Sequence, residues 1–312
     1  MSNERPNHRD GGVDRRPNQN GSSCSSTSDE MLFALASCAE TIQAIADQAE
    51  QQITPCGAGQ MLWRLWGRGE PLVLLHGDFG SWTHWLRNIV PLAQRFRVIV
   101  PDLPGYGDSD MPPEPWSPES LAEILRDGLA EIVPSPQRYD LAGFSFGGII
   151  AGHLAAREGS RVEKLLLLGP GGFKLPGGTP RPLLRMKAGM SPEEVWVVHR
   201  HNLAALMIAD PEKVDGLAIN LQIENVRHAR IKAGSIPDSD TLLQVLPRVT
   251  ARIYGMWGGS DTMTIPHVAD HEAVLRRFQP DLEFFIIETA GHWAPYECAD
   301  AVNTALVSIF EA

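Results

Sequence analysis

Short apolar runs alternate with amphipathic stretches along most of the chain. Between helix-like stretches lie six runs dominated by apolar residues: PLVLLHG, RFRVIVPD, RYDLAGFS, RVEKLLLLGP, ARIYGMWGGSD and LEFFIIETAGHW. The stretch SPESLAEILRDGLAEIV has apolar positions at helical spacing and begins with a capping box of Ser117 and Ser120. Strands that are apolar on both faces and alternate with helices are typical of a parallel sheet covered on both sides. We predict an α/β fold with a mostly parallel, doubly wound sheet.

The alternation of strands and helices is interrupted once. Residues 174–246 have helical patterning without strand-like runs, and the alternation resumes after them. We therefore predict a core made of residues 58–173 and 247–312, with the inserted helical segment as a cap over the carboxyl edge of the sheet.

The first 57 residues differ in character from the rest of the chain. Residues 1–28 are rich in Asn, Gly, Ser, Pro and Arg and poor in core residues, which predicts a disordered tail. Residues 29–57 are predicted to be a helical extension, with Ser28 or Asp29 as its N-cap. Its apolar positions favour packing on the main domain, and self-association into a homo-oligomer is the alternative.

Composition and charge narrow the range of partners. The 312 residues are 43% hydrophobic and 21% charged, as in soluble globular proteins, and the net charge of −11 argues against a nucleic-acid binder. The four cysteines are scattered, which predicts neither a zinc site nor a disulfide framework. No apolar run reaches the roughly 18 residues of a membrane span, and the N-terminus lacks the apolar region of a secretory signal. We expect a cytoplasmic protein that acts on a small molecule without a membrane partner.

One serine stands in an unusual setting. Gly143-Phe144-Ser145-Phe146-Gly147 matches G-x-S-x-G directly after a predicted strand and directly before a predicted helix. This context is typical of a nucleophile elbow, in which the glycines leave room for a strained turn that exposes the serine hydroxyl. We predict that Ser145 is a nucleophile and that the Phe146 N–H, at a helix N-terminus, faces the negative charge that forms beside it.

An acid and a histidine follow the serine in the chain order of such sites. Asp261 comes after the run ARIYGMWGGS, and His292 comes after LEFFIIETAG, so each lies in a loop past a strand end. An imidazole can remove the proton of Ser145, and the carboxylate can orient that imidazole. Alone, Asp261 could be a turn residue and His292 a core histidine, but together they predict a Ser145–His292–Asp261 triad. The triad needs no metal or organic cofactor, and we expect none.

Five motifs in this order resemble the α/β-hydrolase superfamily over residues 58–312. They are LHG at 75–77, DLPGYGDS at 102–109, the turn around Ser145, the loop of Asp261, and GHW at 291–293. The resemblance implies that Asp78, after His76-Gly77, supplies a second oxyanion N–H beside that of Phe146, with Phe79 as the alternative. A carboxylate facing an oxyanion would repel it, so we expect the Asp78 side chain to point elsewhere.

Within the superfamily, GHWAPYECADAVN is similar to the histidine-bearing helix of hydrolases that cleave aromatic ring-fission products at a carbon–carbon bond. Two positions differ from those enzymes. Phe144 stands where they usually carry Asn, and HGDFGSW replaces their glycine-rich, proline-containing oxyanion loop. We therefore expect a carboxylic ester hydrolase on the same plan, similar to enzymes that hydrolyse monoesters of aromatic dicarboxylic acids, with carbon–carbon hydrolysis as the alternative.

Aromatic and basic residues near the predicted site suggest the kind of substrate. Aromatic side chains in the pocket suit an aromatic or bulky apolar ester, and the candidates are Phe79, Phe144, Trp196 and Trp293. Arginines of the cap could hold a carboxylate-bearing substrate, and the candidates are Arg185, Arg200 and Arg227. Core packing and solvated helix faces are the alternative interpretations of these two sets.

Other activities on the same plan also stay open. Acyl transfer and perhydrolysis differ from hydrolysis only in what attacks the acyl-enzyme. A protein of another class, a non-catalytic binder of a small ligand, would have no chemical need for all three residues of a triad.

Overall fold

The computed structural model of the protein describes residues 37–312, so the predicted disordered tail lies outside the described residues. Eight strands form one sheet in the order β1-β2-β4-β3-β5-β6-β7-β8. The strands are β1 (Glu50–Cys56), β2 (Gly59–Trp66), β3 (Pro71–Leu75), β4 (Arg97–Pro101), β5 (Tyr139–Phe144), β6 (Val162–Leu168), β7 (Arg252–Gly258) and β8 (Glu283–Ile287). Strands β3 to β8 pair in parallel, while β2 pairs antiparallel with both β1 and β4. The predicted α/β fold is thus confirmed.

Helices cover both faces of the sheet. They are α1, described over residues 37–46, α2 (Leu86–Ala93), α3 (Pro118–Ile132), α4 (Phe146–Glu158), α5 (Pro192–Leu206), α6 (Gly216–His228), α7 (Thr241–Val245), α8 (Val268–Arg276), α9 (Ala294–Glu297) and α10 (Ala299–Glu311). Successive strand residues point to opposite faces. In β3, Val73 packs with residues of α3 and α4, whereas Leu72 and Leu74 pack with residues of α2 and α10. This two-sided burial explains the continuous apolar run of β3.

The N-terminal extension is only partly helical. Residues 37–46 form a helix whose Ile42 and Ile45 pack against the core, and the Ile45 carbonyl accepts a hydrogen bond from Trp66 Nε1 at 2.8 Å. Residues 50–56, predicted as part of the helical extension, instead form the edge strand β1. This edge strand carries no apolar alternation at its exposed start, so the sequence pattern did not reveal it. The tight turn to β2 uses Gly57, whose φ is +61°.

The segment 174–246 contains the helices α5, α6 and α7, and no strand is described within it. Helix α5 begins with a capping box in which Ser191 and Glu194 satisfy each other's backbone N–H groups. The segment buries Leu203 and Ile219 against the α2 side of the core and Leu242 against the α4 side. We call it the cap segment, and its role as a lid stays a prediction. None of the helices within residues 37–312 is long and apolar enough to cross a membrane.

Candidate active site

The predicted turn around Ser145 has the geometry of a nucleophile elbow. Strand β5 ends at Phe144, helix α4 begins at Phe146, and Ser145 between them has φ +52° and ψ −119°. A Cβ at Gly143 would lie 2.4 Å from the Gly147 carbonyl oxygen, and one at Gly147 would lie 2.4 Å from that of His76. Only glycine fits at both positions, and the strain is held by the packed backbone around the serine.

The three predicted triad residues meet above the carboxyl ends of neighbouring strands. His292 Nε2 lies 2.9 Å from Ser145 Oγ, and His292 Nδ1 lies 2.7 Å from Asp261 Oδ2. Asp261 follows β7 and His292 follows β8, and parallel strands bring these loops to one edge. The distances are those of hydrogen bonds, so a proton can pass from Ser145 to the imidazole while Asp261 holds the opposite nitrogen.

The carboxylate of Asp261 is buried yet well supplied with hydrogen bonds. Burial by itself would raise the pKa of Asp261, but the adjacent His292 and further donors hold the pKa below its ordinary value. The Met263 N–H donates to Oδ1 at 2.9 Å, and Thr264 Oγ1 donates to Oδ2 at 2.8 Å. The group therefore stays ionised at neutral pH and favours a proton on the imidazole nitrogen that faces it.

Asp78 has its side chain turned into a hydrogen-bond network, as expected from its sequence position. Its Oδ1 accepts from the Tyr106 hydroxyl at 2.6 Å and from the Phe79 N–H at 2.9 Å, and its Oδ2 accepts from the Ala233 N–H at 3.2 Å. The Phe79 N–H is thus engaged, which argues against the alternative oxyanion donor. Among residues 37–312, no acceptor is found for the Asp78 N–H.

Two buried histidines shape the strand-end loop that carries Asp78. His76 Nδ1 lies 2.8 Å from the Gly77 carbonyl oxygen, and its Nε2 accepts from the Leu103 N–H at 2.9 Å. The Gly77 N–H donates to His84 Nδ1 at 3.2 Å. Burial lowers the pKa of both imidazoles, so both rings are neutral parts of the scaffold. In the sequence, His76 belongs to the LHG motif, whereas His84 carries no motif.

Two cavities meet at Ser145 and share Asp78, Met263 and His292. The loop cavity, of about 360 Å³, is walled by the glycine- and proline-rich loop after β6 together with Phe146, Phe173, Asp238 and His271. The helix cavity, of about 220 Å³, is walled by Phe79, Phe144, Asn202, Leu203, Leu206, Met207 and Gln222. All of these lining residues lie within residues 37–312, and none of them is Lys or Arg.

The structure brings only some of the predicted substrate-binding residues to these cavities. Phe79 and Phe144 line the helix cavity, and the Phe144 ring lies 5.1 Å from that of His292. Trp293 is fully buried, stacks on Tyr296 at 4.4 Å and donates from Nε1 to the His84 carbonyl oxygen. Its ring and its N–H both find their partners in the core.

The remaining candidates also lie elsewhere. Trp196 and Arg227 line a separate groove between α5 and α6, where Arg227 pairs with Glu224 at 2.9 Å. Arg185 and Arg200 are exposed and line neither cavity. The arginines therefore occupy solvated surfaces, as the alternative interpretation proposed, because long charged side chains on helices and loops favour water.

Several lining residues carry no sequence signal, among them Asn202, Gln222, Met263 and His271. His271 is buried on α8, with Nδ1 2.9 Å from the His267 carbonyl oxygen and its ring edge-on to Phe173. Burial lowers the pKa of His271, so the ring is neutral and presents Nε2 as an acceptor. Within the described residues, no three His, Cys, Asp or Glu side chains are grouped as a metal site requires.

Comparison with known proteins agrees with this geometry. The chain is 29% identical over 252 residues to 2-hydroxy-6-oxo-6-phenylhexa-2,4-dienoate hydrolase of Burkholderia cepacia, a match that covers 76% of this chain and 86% of the relative. Naproxen esterase from Bacillus subtilis has the same fold, with a TM-score of 0.67 and 20% identity over 90% of this chain and 98% of that chain. A meta-cleavage product hydrolase from Pseudomonas fluorescens IP01 has a TM-score of 0.64 and 19% identity, over 83% and 97%.

The sequence profile that matches residues 72–305 spans the sheet from β3 onward, the cap segment, and the loops that carry Ser145, Asp261 and His292. The resemblance inferred from five short motifs is therefore confirmed over most of the described chain. On this evidence the chain belongs to the alpha/beta hydrolase family.

Proposed function

We propose that the protein is a serine hydrolase that cleaves uncharged, apolar carboxylic esters through an acyl-enzyme. The observation that carries the proposal is the pair of hydrogen bonds at 2.9 and 2.7 Å that joins Ser145 to His292 and His292 to Asp261. They connect a strained serine at a helix N-terminus to a base and to the acid that orients it.

In the proposed reaction, Ser145 Oγ attacks the ester carbonyl while His292 Nε2 takes its proton. The negative charge on the carbonyl oxygen is met by the N–H groups of Asp78 and Phe146. The protonated His292 then gives its proton to the leaving alcohol, and the acyl group stays on Ser145. A water molecule, deprotonated by His292, attacks the acyl-enzyme and releases the acid.

The cavities support an uncharged substrate. No Lys or Arg lines either cavity among the described residues, whereas Asp78 and Asp238 are among the lining residues of the loop cavity. Burying a substrate carboxylate without a hydrogen-bonding or charged partner costs roughly several kcal/mol of binding free energy. The earlier expectation of a carboxylate held by Arg185, Arg200 or Arg227 therefore has no support from their positions.

Carbon–carbon hydrolysis is the second candidate, and the 29% identity to a phenylhexadienoate hydrolase favours it. The name of that relative describes a carboxylate substrate. The lack of a cation in the two cavities and the Phe144 ring against His292 favour ester hydrolysis for this chain.

The test is a matched panel with the wild-type protein and Ser145→Ala. We would measure kcat/KM for a p-nitrophenyl butyrate, a dialkyl phthalate, the corresponding monoalkyl phthalate and a phenylhexadienoate. We expect turnover of the uncharged esters, at least about tenfold lower kcat/KM for the monoester anion, and loss of about 10⁴-fold or more in Ser145→Ala. Cleavage of the dienoate alone would establish the second candidate, and ligand binding without any turnover would favour a non-catalytic binder.

A further inference from the structure

The cap segment exposes large apolar side chains on one stretch of chain. Leu183 is 47% exposed, Leu184 43%, Met186 46% and Val197 59%. We call these four residues the cap patch. Such side chains are ordinary on a surface when they are scattered, but grouped apolar exposure marks an interaction surface.

Hydrogen bonds fix the cap patch beside the helix cavity. The Leu184 N–H donates to Asn202 Oδ1 at 2.9 Å, and Asn202 Nδ2 donates to the Leu184 carbonyl oxygen at 3.0 Å. His201 Nε2 lies 2.9 Å from the Pro182 carbonyl oxygen, and Val197 is one helical turn before His201 on α5. Because Asn202 also lines the helix cavity, the patch lies next to a wall of the cavity that contains Ser145.

The charge of the same surface is positive. Arg181, Arg185 and Lys187 interleave with the patch, Arg200 lies on the neighbouring helix, and all four are exposed. The stretch of residues 164–192 contains no Asp or Glu, and the exposed Glu193 and Glu194 at the start of α5 follow it, so four cations face two anions on this surface. Apolar side chains interleaved with Lys and Arg are the composition that binds the surface of an anionic lipid layer.

We propose that the cap patch and its four cations dock the protein on an anionic lipid surface, which places the helix cavity next to that surface. A symmetric pair of chains joined through this face would bring the same cations against each other, which disfavours a second copy as the occupant. Docking from one side needs no membrane-spanning helix, so the proposal replaces the earlier expectation of no membrane partner.

The test uses Ser145→Ala protein, which leaves ester lipids intact, in sedimentation with vesicles. One vesicle type is pure phosphatidylcholine. The other contains about 30% phosphatidylglycerol, an anionic lipid that attracts basic protein surfaces. We expect binding to the anionic vesicles, and at least about tenfold weaker binding after Leu183→Ser with Leu184→Ser or after Arg185→Gln with Lys187→Gln. The matched controls, Val90→Ser on α2 and Arg126→Gln on α3, should bind as the parent does.

The docking proposal fails if the parent stays in the supernatant with both vesicle types, or if the patch variants bind as well as the controls. It also fails if the parent is a dimer that the patch variants convert to a monomer without any change in lipid binding. Hydrolysis of a soluble p-nitrophenyl ester by the patch variants in the wild-type background is measured without vesicles and should be unchanged. This second measurement keeps a failure of docking separate from a failure of the proposed activity.

A second inference concerns a buried carboxylate next to the site. Glu297, at the end of α9, is 4% exposed, and its carboxylate oxygens accept hydrogen bonds from three backbone N–H groups. Oε2 accepts from Gly291 at 2.6 Å and from Ala209 at 3.1 Å, and Oε1 accepts from Asp210 at 2.8 Å. No salt bridge to Glu297 is found within the described residues. The buried carboxylate is therefore stabilised by hydrogen bonds from backbone N–H groups.

The three donors belong to two segments that the active site needs together. Gly291 precedes His292, while Ala209 and Asp210 belong to the connection between α5 and α6. On the other flank of His292, the Trp293 N–H donates to the Met207 carbonyl oxygen at 2.7 Å. Hydrogen bonds on both sides of His292 thus link its loop to the connection between α5 and α6. Met207 of that connection lines the helix cavity.

We infer that Glu297 is a positioning residue, which acts through Gly291 to hold His292 against Ser145 and ties that position to the cap segment. The inference rests on the proposed function, because it assigns a catalytic role to His292. Gln at this position keeps the shape but turns an N–H₂ group toward one of the three backbone donors, which frees the loop.

The test compares Glu297→Gln with Glu288→Gln, an exposed carboxylate in the same loop. We would measure kcat and KM for p-nitrophenyl butyrate and the rate at which a fluorophosphonate labels Ser145, at a temperature where circular dichroism shows both variants folded. We expect Glu297→Gln to lower kcat and the labelling rate by about tenfold or more with KM within about twofold, and Glu288→Gln to leave both unchanged.

A Glu297→Gln protein with a lower melting temperature but wild-type kcat and labelling rate would show a purely structural role and overturn the inference. Absence of labelling in the wild type would instead count against the proposed function. The two failures are therefore distinguishable.

Discussion

At the scale of single residues, burial decides what each charged group can do. Asp261 is buried and stays ionised because His292, Thr264 and a backbone N–H surround it. Asp140, at the amino end of β5, accepts the Lys164 N–H at 3.1 Å, and burial raises the pKa of its carboxyl to about 6. The ionised Asp261 thus supports the site, whereas ionisation of Asp140 lowers the free energy of unfolding.

Asp261→Asn should keep the fold and lose activity. The amide can present its N–H₂ group to His292 and favour the tautomer that cannot accept the proton of Ser145. We expect kcat to fall by about 10⁴-fold, with little change in melting temperature. Ester hydrolysis and thermal unfolding of the purified variant measure the two quantities. An activity loss of less than about tenfold would rule out the proposed role of Asp261.

Asp140→Asn should remove a pH dependence of stability. The folded pKa of about 6 lies above the ordinary value of 3.8, so the contribution of the protonated carboxyl is lost as pH rises through 6. Relative to the wild type, the variant should gain on the order of 2 kcal/mol in free energy of unfolding between pH 4 and pH 8. Urea unfolding of both proteins at each pH gives this difference. An equal offset at every pH would contradict the raised pKa.

Residue identities near the site were predictable where chain order constrained them. Ser145, Asp261 and His292 follow strand ends in a fixed order, and the structure brings them within hydrogen-bond distance. Trp293 and Arg200 were candidates on residue type alone. Trp293 lies in the core, and Arg200 lies at the surface. Residue type alone does not determine which face of a loop or helix a side chain occupies.

At the scale of elements, the turn between β5 and α4 concentrates the steric constraints of the site. Ser145 has a positive φ, and the glycines on either side of it lie within contact of neighbouring backbone. The gain is a hydroxyl that stands at the N-terminus of α4, where the first N–H groups have no partner within the helix. The other end of α4 is less constrained, since Gly159 has φ +56° but open space around its Cα.

Gly147→Ala should destabilise the protein far more than Gly159→Ala does. An alanine Cβ at 147 would lie 2.4 Å from the His76 carbonyl oxygen, so the backbone must shift, whereas at 159 only the positive φ is unfavourable. We expect losses of about 3 kcal/mol or more and about 1 kcal/mol, respectively, from chemical denaturation. Similar losses at both positions would show that the space around Gly147 does not constrain the turn.

Elements with a continuous apolar pattern were correctly predicted, and those without one were not. The parallel strands β3 to β7 fall in the apolar runs because helices cover both of their faces. Strand β1 lies at the sheet edge, and its exposed start EQQ has no apolar signal, so it was assigned to a helix. The pairing of β1 with β2 is a long-range choice that local pattern does not contain.

At the scale of the whole molecule, charge is distributed unevenly. The chain carries a net charge of −11, yet residues 164–192 contain only cations among their charged residues. The two cavities are lined by Asp78 and Asp238 without a described Lys or Arg. Asp78 and Asp238 should therefore repel an anionic substrate within the loop cavity, whereas the cations around the cap patch lie outside that cavity.

Salt should distinguish charged from uncharged esters. For the monoalkyl phthalate anion we expect kcat/KM to rise about two- to fivefold between 10 and 150 mM ionic strength, because screening weakens repulsion by Asp78 and Asp238 at the loop cavity. For the uncharged dialkyl ester we expect no change. Stopped-time assays with sodium chloride at constant pH measure both. A fall in kcat/KM for the anion would indicate a cation at the site.

The sequence by itself determined the α/β class, the elbow and the order of the triad, because these depend on apolar periodicity, on glycine at two crowded positions and on loops that follow strands. Only the tertiary structure decided what surrounds the triad. The cavity walls come from α5, α6 and the loop after β6, which are distant in sequence and pack according to shape and burial. Which aromatic side chains line a cavity, and which arginines face water, depends on those packing choices, and no local pattern encodes them.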